Sequence, residues 1–210
     1  ITNSSGVVQN VVYTVTPTST GGSCAGTAQT ITVTVNPTPA MTSAGSATIC
    51  TGATVSIPFT SNVASTYTWI ATDNVNTTGE SLTTQSTNTL SNTITNPTTS
   101  SQNVIYTVTP TSTGGSCAGT SQTITVQVNP VPTATATPST QTICSAGATS
   151  IALSSNIVGT TYSWTTTQSG VTGASNSSGS NITQTLTTTG TSPGTVTYTI
   201  TPVNGCTGST

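Results

Sequence analysis

Apolar and polar residues alternate along most of this chain with a period of two. Val55, Ile57 and Phe59 share one parity; so do Tyr67 and Trp69, then Val104, Tyr106 and Val108, then Ile124, Val126 and Val128. Threonine stands between many of them. A period of two places the apolar members on one face of an extended strand and the hydroxyls on the other, so each stretch reads as a strand with one buried and one wet face. The same pattern returns at Ile151 and Leu153, at Tyr162 and Trp164, and at Val196, Tyr198 and Ile200. No stretch carries a helical period. Pro, Gly, Asn and Ser fill the gaps, as turns require. The pattern predicts an all-β fold of about seven short antiparallel strands per unit, packed as two sheets.

The units repeat. Residues 13–27 read YTVTPTSTGGSCAGT and residues 106–120 read the same, an offset of 93 (Tyr13 to Tyr106). A third, shorter version, YTITPVNGCTG, begins at Tyr198. Cys50 returns as Cys144, Trp69 as Trp164, and Asn36-Pro37-Thr38-Pro39 as Asn129-Pro130-Val131-Pro132. A step of this length is too long for a solenoid and suits one small β-sandwich. The expected division is residues 1–37 as the last strands of one domain, 38–130 as a complete domain, and 131–210 as a domain without its last strand. Pro37, Pro39, Pro130 and Pro132 fall in the linkers. Two prolines in four residues hold a backbone extended and stiff. The array is expected to form an extended rod, each domain adding on the order of 35–45 Å at roughly 3.3 Å per strand residue plus the joint.

Trp69 and Trp164 each follow a tyrosine two residues earlier on the same face. This suits the buried tryptophan on the third strand of an immunoglobulin-like sandwich rather than a platform for sugars. Tyr106 and Tyr198 read as core tyrosines with tethered hydroxyls. The five cysteines sort into two places per unit. One precedes the second strand (Cys50, Cys144), and the other lies in the hairpin between the last two strands (Cys24, Cys117, Cys206). The expected pairs are Cys50–Cys117 and Cys144–Cys206, each within a domain, with Cys24 unpaired in this segment. Free, buried thiols are the rival reading. A disulfide implies an oxidising, extracytoplasmic setting.

Composition narrows the function further. The chain has no Lys, Arg or His and only two carboxylates, Asp73 and Glu80. Binding to nucleic acid by phosphate neutralisation needs Lys or Arg, and attraction to anionic lipid needs the same residues. No apolar run is long enough for a membrane helix, so direct membrane insertion is not expected. A Ser-His-Asp or Cys-His nucleophile cannot be built without His. No catalytic residue, cofactor site or metal site is expected. Asp73 and Glu80 have Gln168 and Ser175 as counterparts in the next unit, which reads as a pair of solvated loop carboxylates. The 59 Thr and 30 Ser make the surface one of hydroxyls. They also make the N-x-[ST] matches at Asn3, Asn76, Asn176 and Asn181 of little weight. A surface with so little charge lacks the repulsion that keeps molecules apart, and sandwich edges carry unpaired backbone groups. The expected partners are therefore neighbouring repeats of the same chain and further copies in a filament, with surface glycans as the alternative.

The string VIYTVTPTSTGGSCAGTSQTITVQVNPVP at 104–132, with ATICTGATVSIPF and TYTW before it, resembles the PKD-like repeats of very large Bacteroidota surface proteins. The likeness extends over all three units. The W-D-F-G-D-G stretch of classical PKD domains is absent, since Trp69 is followed by Ile70, Ala71 and Thr72. The resemblance implies tandem immunoglobulin-like (PKD-like) sandwiches in cell-surface adhesins and gliding-motility-associated proteins exported by type IX secretion. Their role would be a non-catalytic stalk acting in surface attachment or gliding. The alternative is a module that binds glycans or surfaces through its inter-strand loops.

Overall fold

The computed structural model describes residues 1–208, and among these there is no helix. Strands β1 (Gln9–Val15) and β2 (Gln29–Val35) form an antiparallel ribbon with Tyr13 opposite Ile31. Six strands follow: β3 (Ser46–Cys50), β4 (Thr54–Pro58), β5 (Ser65–Thr72), β6 (Thr89–Thr93), β7 (Gln102–Ser112) and β8 (Gln122–Asn129). They build a four-stranded sheet in the order β3-β8-β7-β5 and a two-stranded sheet of β4 and β6.

The faces that meet between these sheets are the ones the alternation marks, together with Leu90 and Ile94, which it did not mark. Val55, Ile57, Leu90 and Ile94 come from the β4–β6 side. Tyr67, Trp69, Val104, Tyr106, Val108, Ile124, Val126 and Val128 come from the other, and all are buried. Phe59, Tyr67, Trp69 and Tyr106 form a chain of tilted and edge-on rings with centroids 5.4–6.3 Å apart, a geometry that suits aromatic quadrupoles.

One pairing departs from the antiparallel expectation. The start of the unit lies beside the second strand, through a bridge of Met41 to Ser61 and a hydrogen bond from Thr42 N to Thr60 O. The chain then crosses to the other sheet as β3 and pairs in parallel with β8, Ser46 opposite Thr125 and Cys50 opposite Asn129. First and last strands thus run side by side in the same direction, from the end where the chain enters the unit to the end where it leaves.

The remaining strands are β9 (Ala134–Thr137), β10 (Gly147–Ala148), β11 (Ile151–Ser155), β12 (Thr161–Ser169), β13 (Val171–Thr172), β14 (Ser177–Ser178), β15 (Asn181–Ile182), β16 (Thr185–Thr188), β17 (Thr195–Asn204) and β18 (Cys206–Thr207). β12 lies between β14 and β17, and β17 also pairs with β18. β11 lies between β9 and β15, and β16 between β10 and β13. Leu153, Tyr162, Trp164 and Ile182 make the core. Among the described residues no strand takes the place that β8 holds in the preceding group. A groove of about 600 Å³ lies there instead, lined by Ile151, Ile182, Leu186, Val196, Tyr198 and Ile200 among others.

The same absence of a covering layer marks the β1–β2 ribbon. Tyr13 is 45% exposed, whereas Tyr106, at the same place in the repeat, is fully buried. Val12, Val15, Ile31 and Val33 are exposed too. Identical strings therefore have different burial according to whether a second sheet covers them.

Candidate functional site

The features that recur at equal places in the repeat gather where one strand group meets the next. Cys50 ends β3, next to Asn129 on β8, and the backbone N–H of Thr51 donates to the Asn129 carbonyl (2.8 Å). The β17–β18 hairpin brings Cys206 to the same spot, and a disulfide joins Cys50 to Cys206 across 156 residues of sequence. The expected pairs Cys50–Cys117 and Cys144–Cys206 are thereby corrected: Cys24, Cys117 and Cys144 are free thiols.

The reason is the parallel strand. Cys50 faces the last residue of β8, while Cys117 precedes the first residue, Gln122, in the β7–β8 hairpin. Seven strand residues at about 3.3 Å each set the two cysteines roughly 23 Å apart at opposite ends of one sandwich. A disulfide needs Cα atoms within about 7 Å. Cys144 and Cys206 stand in the same relation one unit later. The bond therefore links two strand groups where the sequence reading placed it within one.

Around the disulfide the linker is packed. Pro130 and Pro132 are buried there, and Pro37 and Pro39 are buried at the opposite, entry end of the β3–β8 group, so each pair locks its own joint by contact as well as by a fixed φ. Gly208 sits so close to the Pro132 carbonyl and to the ring of Pro202 that a Cβ has no room. Gly119 meets the Pro39 carbonyl and the Pro110 ring in the same way. After each linker an asparagine side chain holds the next segment. Asn62 Oδ1 accepts from Ala40 N (2.7 Å), and Asn156 Oδ1 accepts from Thr133 N (2.9 Å). The sequence reading missed these asparagines, although their offset of 94 (62 to 156) repeats like the cysteines. It also missed Asn96. This side chain is 3% exposed, and its Nδ2 donates to the carbonyls of Ser100 (2.8 Å) and Val128 (2.9 Å). Asn3 does the same for Val7 and Val35, both at 2.8 Å. The amide of this sequon is thus engaged within the fold.

The aromatic residues serve the core. Trp69 and Trp164 are each 4% exposed. Trp69 Nε1 donates to Thr87 Oγ1 (3.0 Å) and Trp164 Nε1 to the Ser175 carbonyl (3.3 Å). The Tyr106 hydroxyl donates to Asn92 Oδ1 (2.9 Å) and the Tyr198 hydroxyl to Gln184 Oε1 (3.0 Å). Tyr198 is only half-buried because it lines the open groove.

Glu80 departs from the reading of a solvated loop carboxylate. Its Oε1 accepts from Thr77 Oγ1 (2.8 Å) and Asn74 N (3.4 Å), and its Oε2 is buried without a partner. Asp73 stays exposed. Burial first, and the charge of Glu80 second, hold the Tyr106 hydroxyl well above the ordinary phenol range. Burial also raises Tyr198, against a smaller opposing effect from the Thr149 hydroxyl. A phenol raised above its unfolded value of about 10 contributes stability that is complete below pH 10 and is lost as the pH climbs beyond it. Stability should be flat between about pH 6 and 9 and, above about pH 10, fall by at most about 1.4 kcal/mol per pH unit for Tyr106. Urea unfolding at stepped pH, followed with tyrosinate absorbance, checks this. Ionisation of Tyr106 at its ordinary pH in the folded protein would contradict it.

No group of three or more His, Cys, Asp or Glu residues that could hold a metal ion occurs among the described residues. No described helix is long and apolar enough to cross a membrane. A cleft of about 340 Å³ lies at the joint, lined by Ser100, Ser101, Asn129, Pro130, Val158 and Asn204 among others. It offers hydroxyl and amide groups and no ionisable one. What the arrangement does is hold one strand group to the next, through a covalent bond, buried prolines and side-chain clamps.

No curated protein sequence matches the chain significantly. A family model, that of the PKD-like domain, matches residues 1–39, 47–132 and 141–210. With nearly its whole length matched in three successive segments, each carrying the strands and hairpins described above, the chain belongs to the PKD-like domain family.

Proposed function

We propose that this chain is a non-catalytic stalk segment of a long extracellular adhesin or surface filament, acting in cell-surface attachment or gliding. The units of about 93 residues, divided near residues 37 and 130, stand end to end as a rod. The observation that carries this reading is the joint: a disulfide from Cys50 to Cys206 lies across it, and Pro130 and Pro132 are buried within it. A covalent bond between strand groups adds little to a site that binds a small molecule. It adds much to a module that must keep its orientation under tension. The family is of the extracellular, adhesion-associated kind, and a disulfide fits an oxidising compartment. The resemblance to Bacteroidota repeats points to type IX export as the route.

Small-angle scattering on the 210-residue chain distinguishes the readings. A stalk gives a cross-section of one sandwich and a maximum dimension several times larger. Compact scattering, with no dimension beyond that of a globule of this mass, would sink the rod. A glycan-array signal from the same chain, lost on changing the loop residues Val75 or Val158, which are 91% and 98% exposed, would favour the binding-module reading instead.

A further inference from the structure

We propose that Cys24, Cys117 and Cys144 are the unjoined halves of further disulfides of the Cys50–Cys206 kind, so that every joint of the array is closed covalently by a bond from one repeat to the next. In each bond the strand cysteine of one unit takes the hairpin cysteine of the unit that follows. This goes beyond the stalk reading and holds whether or not the array is a stalk.

The hairpin half is built the same way three times. Ser23, Ser116 and Gly205, the residues just before Cys24, Cys117 and Cys206, all have left-handed backbone, with φ of 57°, 53° and 68°. Serine rarely adopts that conformation, so two such serines before two cysteines mark a turn held for a purpose. Each hairpin is closed by the same bond, at 2.8 Å in all three: Gly26 N to Pro17 O, Gly119 N to Pro110 O, and Gly208 N to Pro202 O. In the first two the cysteine N–H also donates to a serine hydroxyl, Ser19 at 3.2 Å and Ser112 at 3.1 Å.

The strand half is also duplicated. After Cys50 the turn places Gly52 at φ 80°, its N–H donating to the Ile94 carbonyl (2.8 Å), and Ala53 N donating back to Cys50 O (3.0 Å). After Cys144, Ala146 has φ 67° and donates to the Leu186 carbonyl (2.8 Å), and Gly147 N donates to Cys144 O (2.9 Å). Cys144 thus has the turn of Cys50 without the bond.

The receiving surface recurs as well. At the bonded joint Gly205 lies beside Asn129 and Gly208 beside Pro132; at the other joint Gly115 lies against Asn36 and Gly119 against Pro39. Cys117 is therefore seated on the linker as Cys206 is on the next one. The thiol that would complete it is the strand cysteine of the unit to which residues 1–37 belong. Closing each bond removes two protons and two electrons from a pair of thiols. A disulfide-class oxidant such as oxidised glutathione takes them up and leaves as two thiols.

A longer chain tests this: residues 1–130 followed directly by residues 38–210, so that the 38–130 unit occurs twice, with Cys117→Ser in its first copy only. The protein is refolded with oxidised glutathione, alkylated, and digested with a chymotrypsin-like protease, since trypsin has no site. The unaltered 210-residue chain, treated alongside, supplies the Cys50–Cys206 peptide as reference. The expected result is two linkages together, Cys50–Cys117 and Cys50–Cys206, with Cys24 and Cys144 alkylated. Cys117 found alkylated would overturn the proposal. So would a Cys50–Cys117 link accompanied by loss of Cys50–Cys206, which is the signature of bonding within one unit. A second Cys117→Ser, in the other copy, should remove the first linkage and keep the second; loss of both would also count against it.

Discussion

Adding Gln-Thr-Ile-Thr-Val-Gln-Val-Asn-Pro, the sequence of residues 122–130, after Thr210 is expected to raise the melting temperature of the β9–β18 group by roughly 10–20 °C. The appended strand has a place waiting. In the preceding group β8 pairs with β7 on one side and β3 on the other, and it buries Ile124, Val126 and Val128 completely. In the last group the equivalent space is the groove beside β17, and the segment holding Ile143 and Cys144, which corresponds to β3, forms no strand. Val196, Tyr198 and Ile200 are only half-buried there, while Val104, Tyr106 and Val108 are fully buried. Three newly buried side chains contribute about 1.5–3 kcal/mol each. The fuller burial of Val196, Tyr198 and Ile200 and the hydrogen bonds of the new strand add to this, and fixing the backbone of the strand offsets most of the sum. A net gain near 3 kcal/mol corresponds to the stated shift for a domain of this size. Calorimetry measures it, with Trp164 fluorescence assigning the transition. An appended strand carrying Asp in place of the central Val should give no gain. An equal gain from both strands would show that the groove is not the receptor.

Trp69→Ala should cost the β3–β8 group about 3–5 kcal/mol, the range for a large aromatic removed from a packed core. Trp69 lies within 6.3 Å, centroid to centroid, of both Phe59 and Tyr106, and its indole N–H satisfies Thr87. Truncation leaves a cavity ringed by rigid aromatic neighbours, which cannot collapse to fill it. Total stability of such domains is about 5–15 kcal/mol, so the loss is a large share of it. Trp164→Ala should cost less. Among the described residues no aromatic pair of that kind surrounds Trp164, and its core of four buried residues beside an open groove relaxes more easily. Urea unfolding of the two variants, followed by far-UV circular dichroism with the remaining tryptophan marking the unaltered group, compares them. Equal losses would remove the argument from packing.

The all-β class, the strand faces and most of the core were legible in the chain itself, Leu90 and Ile94 excepted. Burial on one side of a strand must repeat every two residues, and that period appears at Val104, Tyr106 and Val108 or at Ile124, Val126 and Val128 whatever the rest of the fold does. The repeat was equally plain, since YTVTPTSTGGSCAGT occurs twice. It set Cys50 and Cys144 at one place of the repeat and Cys24, Cys117 and Cys206 at another.

Which cysteine meets which was decided only by the tertiary structure. Alternation reports which face a residue occupies and is blind to which neighbour a strand pairs with, or in which direction. Once β3 runs parallel to β8, Cys50 is carried to the exit end of its unit, away from Cys117 and toward Cys206. The depth of burial was decided there too. Tyr13 and Tyr106 sit in the same fifteen-residue string, yet one is half in water and the other wholly enclosed, because burial belongs to the sheet that covers a strand and not to the strand itself.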